Sequence, residues 1–548
     1  MKSHKTIFSI ALAVFMAASI GIAYAADVTE CINPLTYTDI PDNDVLRVGD
    51  DYYMVSTTMY YCPGAPIMHS RDLVHWQIVN YVYDCLNDDD IYNLRDGRNA
   101  YGKGQWAASL KYFDGTYYCL FIANDQNKTY VYRTKDIESG KWERSVIDRA
   151  FHDAGMLFED GHLYIIWGNG ELRITELEPD GSAVKENGID QLLIESPRQG
   201  YNLRAEGSHF YHIGDYYYVL VIDWPSNSVR TETCWRSKNL LGPYESKTVL
   251  QGAFDGRGDG VAQGAIFDTP AGDWYAMMFQ DHGAVGRIPT LQPLKWVDGW
   301  PIMGDNTVPV KKFDVNLKPS GENYVFASDE FDRGKNELAL VWQWNHKPDN
   351  ALWSLTERKG WLRLKAGHKA TSIMDARNSL TQRTVGPRCY SEVLLDVSGM
   401  KPGDNAGICA FQSNYCRIGV EVAPDGTRYV VGAIRVPPAR RFGMSGQNRQ
   451  EQPQGNGETP VLRVPLTQDK VWLRIYYIFT PQEGDKYGAD TAFICWSLDG
   501  EGWFQIPETL QMRFTLDLFT GYRTALYCYP TSETGGYADF DYFHQAVY

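Results

Sequence analysis

The stretch Asp42-Asn43-Asp44-Val45-Leu46-Arg47-Val48-Gly49-Asp50-Asp51-Tyr52-Tyr53-Met54-Val55 decides the fold. An acid-rich turn runs into a short apolar strand. A Gly-Asp-Asp turn then reverses the chain, and an aromatic-rich strand returns, as in a β-hairpin. The same turn and strand recur as Asp114-Gly115-Thr116-Tyr117-Tyr118, Asp160-Gly161-His162-Leu163-Tyr164, Gly214-Asp215-Tyr216-Tyr217-Tyr218 and Gly272-Asp273-Trp274-Tyr275. The copies stand on the order of 45 to 65 residues apart, near the length of a propeller blade. Useful helical periodicity is nearly absent. An all-β fold is therefore expected, with a five-bladed β-propeller over 26–325 rather than a sandwich of equal strand content. Strands that converge on one axis can bring together acids that lie far apart in sequence.

Beyond Pro301 the repeat stops, and 308–322 reads as a connector. Short alternating strands resume after Ser328 and continue to Asp539-Phe540-Asp541-Tyr542-Phe543, predicting a β-sandwich over 326–548. Within it, 437–460 is rich in Pro, Gly, Gln and Arg and reads as a long exposed loop. At the other end, Lys2 and Lys5 precede an apolar run over 7–23, and Ala23-Tyr24-Ala25 offers a cleavage site. Residues 1–25 thus read as a secretory signal, and the expectation is an exported protein, periplasmic or secreted, without membrane insertion. The ten cysteines show no spacing pattern. Most are expected to be buried thiols, and Cys62 with Cys85 is the one pairing put forward for testing.

The 548-residue length favours two domains. A net charge of −16 argues against nucleic acid, whose binding draws on basic surface, and is compatible with a neutral polymer. The 36 Tyr and 16 Trp suit strands and also suit stacking on sugar faces.

Candidate chemistry lies in a few acids. Asp42 sits in a turn that opens a blade, where it serves either as a turn cap or as a reactive group, and Asp39 and Asp44 are rivals. Asp153 precedes the apolar Met156-Leu157-Phe158, and Glu206-Gly207 leads into a Tyr-rich strand. With 68 acids in the chain, a surface carboxylate is the commoner meaning of each taken singly. Arg287 ends a Gly-rich stretch and either binds a hydroxyl or pairs an acid; Trp106 either walls a sugar site or packs in the core. No HExxH, EF-hand, phosphate loop or GxSxG elbow is present.

Taken in order, these motifs resemble glycoside hydrolase family 43 in its form with a five-bladed propeller and a C-terminal β-sandwich. Asn33-Pro34, Pro41-Asp42-Asn43 and Arg47 to Tyr53 stand where that family opens, with Asn43 in place of a second Pro. The resemblance extends to Gly104-Gln105-Trp106-Ala107-Ala108, His152-Asp153-Ala154-Gly155-Met156, Glu206-Gly207-Ser208-His209 and Gly286-Arg287. It implies Asp42 as general base, Glu206 as general acid, Asp153 as the group that tunes the acid, and Arg287 and Trp106 as substrate contacts. It further implies an inverting reaction, with roughly 6.5–9.5 Å between the carboxyl groups of base and acid. The expected activity is exo-acting release of β-D-xylose or α-L-arabinofuranose from hemicellulose oligosaccharides, with the sandwich lending a loop that closes the pocket. No cofactor is required. Gln263-Gly264 replaces the His-Gly that many members place beside a bound cation, which puts a central calcium in doubt. Rival readings are a non-catalytic glycan-binding protein, a retaining fructan-type enzyme and an endo-acting arabinanase.

Overall fold

The computed structural model describes residues 28–256, 258–437, 457–484 and 487–548. The predicted leader and most of the 437–460 loop lie outside them. Five antiparallel four-stranded sheets form a ring. Their first strands are Asp44–Val48, Gln105–Phe113, Gly155–Glu159, Tyr201–Ile213 and Val261–Asp268, here the inner strands of blades 1 to 5. Each inner strand contacts the next, and the fifth contacts the first, so the ring is closed.

Local chemistry explains the blades. In the Asp114-Gly115 and Asp160-Gly161 turns both residues take positive φ, as a type I′ hairpin turn requires. Along the second strand of blade 4, Val219 and Val221 pack against blade 3 and Leu220 packs against blade 5. Alternation with period two thus feeds two different inter-blade cores. Closure does not use an exchanged blade strand. Thr29–Ile32 pairs instead with Lys312–Val315, across the two ends of the ring. The Asn33 side chain fastens this seam, donating to the carbonyls of Leu291 (2.7 Å) and Val310 (2.8 Å) and accepting from the Leu291 N–H (2.9 Å).

The second unit is a sandwich of a seven-stranded and an eight-stranded sheet. Ile408, Ile418 and Leu526 line the inner face of the seven-stranded sheet and meet Val393, Leu473 and Ile475 of the other. The opposite face of the same sheet presents Phe411, Tyr415, Tyr527 and Tyr529 to Tyr60, Tyr83 and Phe121 of the propeller. One sheet therefore serves two cores, which fixes the sandwich to the propeller over a buried aromatic seam. Cys62 and Cys85 are joined as a disulfide, and Cys62 also pairs through its backbone with Trp344 of the sandwich. The other eight cysteines are free and buried. Among the described residues, no helix is long and apolar enough to cross a membrane.

His346 closes the seam. It is fully buried, stacked 4.8 Å from Tyr60, and its Nε2 accepts the N–H of Ala100 at 2.8 Å. That bond demands a neutral ring, and burial drives His346 down to about 3 from its ordinary 6.5. A lowered folded-state value means that this stabilisation is full above pH 6.5 and is lost as pH falls toward 3. Unfolding free energy should therefore fall by at most about 1.4 kcal/mol per pH unit below pH 6.5 from this group. In His346→Gln the same denaturant titrations should show a shallower acid slope.

Candidate active site

Asp42 takes φ +50, a left-handed conformation that is uncommon for a residue with a side chain. The turn is pinned from behind: Thr57 N–H and Ser56 Oγ both donate to the Pro41 carbonyl, at 3.1 and 2.8 Å. Asp42 is buried, and its Oδ1 accepts from Arg287 Nη1 at 2.7 Å. Burial raises the Asp42 carboxyl above the usual aspartate range, the Arg287 charge opposes this, and Asp39 and Asp281 add to it.

The two rival acids have other work. Asp44 is fully buried and accepts from the Leu110 N–H (2.7 Å) and Ser109 Oγ (3.2 Å), tying blade 1 to blade 2. Asp39 accepts from the Arg287 N–H (2.8 Å) and, across the domain boundary, from the Gly521 N–H (2.9 Å). Gly286 is needed beside it, because a Cβ there would lie 2.2 Å from Asp39 Oδ1.

Opposite Asp42 stand residues of blades 3 and 4. Asp153 also takes a left-handed φ, +48, and its backbone carbonyl accepts from the Ser208 N–H at 3.2 Å. This contact brings the loop before blade 3 against the strand that carries Glu206. Glu206 Oε2 accepts from Asn169 Nδ2 at 2.5 Å and lies 3.2 Å from His152 Nε2, which is 3.7 Å from Asp153 Oδ2. Burial raises the Asp153 carboxyl, His152 opposes the rise, and Glu206 and Asp42 add to it. Burial disfavours the charged form of His152, but the charges of Asp153 and Glu206 outweigh it and hold the imidazole above its ordinary value. Asp42 acts on both groups, so all three predicted carboxylates share one site.

Two binding candidates line the space between. Arg287 keeps Nε and Nη2 buried without a partner among the described residues. Trp106 is half-buried and meets the His152 ring edge-on, with centroids 6.1 Å apart. Phe519, from the sandwich, completes the wall. Its ring lies 5.8 Å from Trp106 and 4.8 Å from the Arg287 guanidinium. Phe519 is the residue behind the expected closing loop, and it was not identifiable from sequence. Asn169 was missed as well; its only signal was the flanking Gly168 and Gly170 at a strand end.

The arrangement sets a guanidinium-held carboxylate on one side and a second carboxylate, held by an amide and an imidazole, on the other. Comparison with known proteins gives it a family. Residues 31–301 match the model described as "Glycosyl hydrolases family 43", and 328–545 match "Beta xylosidase C-terminal Concanavalin A-like domain". A protein named "Beta-xylosidase" from Formosa agariphila is 30% identical over 93% of this chain and 89% of its own length. The chain belongs to glycosyl hydrolase family 43. A non-reducing end alpha-L-arabinofuranosidase of Bacteroides ovatus is 29% identical over 61% of this chain and 64% of its own. Among solved structures, one described as "Bifunctional GH43-CE" from Bacteroides eggerthii superposes with TM-score 0.84 and 44% identity, covering 95% of this chain. This chain spans 64% of that protein's length. Family membership makes the chain a glycoside hydrolase. In this family 43 chain, Gln263 rather than His follows Ala262 in the inner strand of blade 5.

Asp39→Ala leaves two buried N–H donors unmatched, those of Arg287 and Gly521. The expected loss is about 1–3 kcal/mol for each donor. Denaturant unfolding followed by Trp fluorescence checks this; an unchanged midpoint would show that Asp39 does not hold the two domains together.

Proposed function

We propose that the chain is an exo-acting, inverting glycosidase that releases β-D-xylose, α-L-arabinofuranose or both from non-reducing ends or side chains of hemicellulose oligosaccharides. The observation that carries this reading is the pairing of Asp42 with Arg287 across the pocket from Glu206 with Asn169 and His152. Glu206 protonates the leaving oxygen as the C1–O bond breaks. Asp42 takes a proton from a water that attacks C1 from the opposite ring face, so the product carries inverted configuration. Asp153 orients the acid through His152, which lies between the two carboxyl groups. Trp106 and Arg287 contact the sugar, beside Phe519.

Exo action draws support from Phe519, which sits on the pocket from the second domain and disfavours an open groove. The names of the relatives, a β-xylosidase and an α-L-arabinofuranosidase, support pentose as the sugar class. The leader-like start of the chain supports action in the periplasm or outside the cell.

Hydrolysis of 4-nitrophenyl β-D-xylopyranoside, 4-nitrophenyl α-L-arabinofuranoside and xylobiose tests the assignment. Asp42→Ala should lose about 10²–10⁴-fold in kcat on every substrate that is cleaved. Glu206→Ala should lose least on nitrophenyl glycosides, whose leaving group departs without a proton, and most on xylobiose. Initial product of retained configuration, or equal losses for Glu206→Ala on both leaving groups, would sink the mechanism; no hydrolysis of any of the three would sink the pentosidase reading.

The acid limb of kcat/KM reports Asp42, which must be ionised to act. Because burial has raised its pKa, activity should fall with decreasing pH above the ordinary aspartate range. Arg287→Met removes the opposing charge and should move that limb to still higher pH, while Arg287→Lys should move it less. Rate profiles over pH for the three proteins decide the matter.

A further inference from the structure

Between blades 4 and 5 lies an acid without a catalytic duty. Glu232 has no exposed surface. Its Oε2 accepts the Gln263 N–H at 2.7 Å, and its Oε1 has no partner among the described residues. Burial pushes its carboxyl up to about 8, against the pull of the Gln263 bond and with help from Asp223, so it is mostly uncharged at neutral pH. A neutral carboxyl satisfies a buried N–H without adding a charge to the core.

What it satisfies is a strained backbone. Gln263 has φ +59, and the register of blade 5 shifts between Ala262 and Gly264. A left-handed residue with a side chain persists only where its surroundings over-determine it. The consequence reaches both reactive carboxylates. The Gln263 side chain lies against Gly207, where a Cβ would stand 2.8 Å from Gln263 Cδ. Gly207, at φ +67, sits in the register shift that follows Glu206. On the other flank, a Cβ on Gly264 would stand 3.1 Å from Asn43 Oδ1 and 1.8 Å from the Met277 carbonyl. One dipeptide thus abuts the residue after Glu206 and the residue after Asp42.

We propose that the Gln263-Gly264 kink is the spacer that sets the span between Asp42 and Glu206, and that Glu232 is the positioning residue that holds the kink by accepting the Gln263 N–H. The catalytic consequence rests on the function proposed above; the structural one does not. Glu232→Gln keeps an acceptor of the same shape, and Glu232→Leu removes it. In Glu232→Leu kcat should fall by about 10²-fold, the scale of an ångström of misplacement, with KM nearly unchanged. Glu232→Gln should restore kcat to near the wild-type value. Hydrogen exchange by mass spectrometry, which needs no substrate, should show faster exchange over 261–266 and 205–209 in Glu232→Leu and not in Glu232→Gln. If Glu232→Leu does not fold, Gln263→Gly takes its place, relieving the strain and removing the wedge; kcat should again fall while the melting temperature holds. Wild-type kcat in Glu232→Leu or Gln263→Gly, equal damage in Glu232→Gln and Glu232→Leu, or unchanged exchange in both segments would overturn the proposal.

Discussion

Holding three carboxylates close together at one site is the constraint on which the rest of the structure depends. Asp42 and Asp153 are buried and Glu206 is partly so, and like charges at such range disfavour one another's ionisation. The protein answers with two separate cations. Arg287 bonds Asp42, while His152 lies between Asp153 and Glu206. A guanidinium does not give up its proton, so the Asp42 side has a fixed countercharge. An imidazole does titrate, so the countercharge beside Asp153 and Glu206 is not fixed in the same way. The two ends of the pocket are thereby suited to opposite tasks, acceptance at one and donation at the other.

Placing these groups required departures from regular strand geometry. The inner strands of blades 2, 4 and 5 all shift register near the pocket, beside Trp106, after Glu206 and at Gln263. A bulge re-aims a side chain without breaking the sheet, which is how a strand can point a polar group at the axis while its neighbours stay in the core. Asp42, Asp153, Gln263 and Phe519 all hold positive φ. Other left-handed residues stand in turns throughout the chain, but at these four the conformation sets a side chain at or beside the site.

The blades were legible because their signals are local. Turn residues and period-two alternation act within a few residues, and the five hairpins appear where the Gly/Asp turns stand. The site was legible only in part. Asp42, Asp153 and Glu206 were picked out by motif resemblance, and the structure brings them into one pocket. Composition could not separate Asp42 from Asp39 and Asp44, because the decision lies in distant partners: Leu110 for Asp44, Arg287 and Gly521 for Asp39. Phe519 carried no local mark at all, since its meaning depends on how a sandwich loop meets a propeller. The disulfide was a bare candidate for the same reason, Cys62 being positioned by its backbone pairing with Trp344 of the other domain.

The domain boundary therefore runs beside the clustered carboxylates. Asp39 bonds the backbone of Arg287 with one oxygen and that of Gly521 with the other, and Gly521 lies two residues beyond Phe519. The residue that orients Asp42 and the residue that closes the pocket share a single mount. Arg383 of the sandwich adds a third tie, donating to the Asp39 carbonyl at 3.0 Å. A sandwich that merely accompanied the propeller would have no reason to make these contacts at the pocket itself. Because Phe519 also lies against the Arg287 guanidinium, reshaping the lid to suit another sugar acts on the group that holds Asp42. The positions of Phe519 and Asp42 are thus coupled through one arginine, and that coupling limits how far either can change alone.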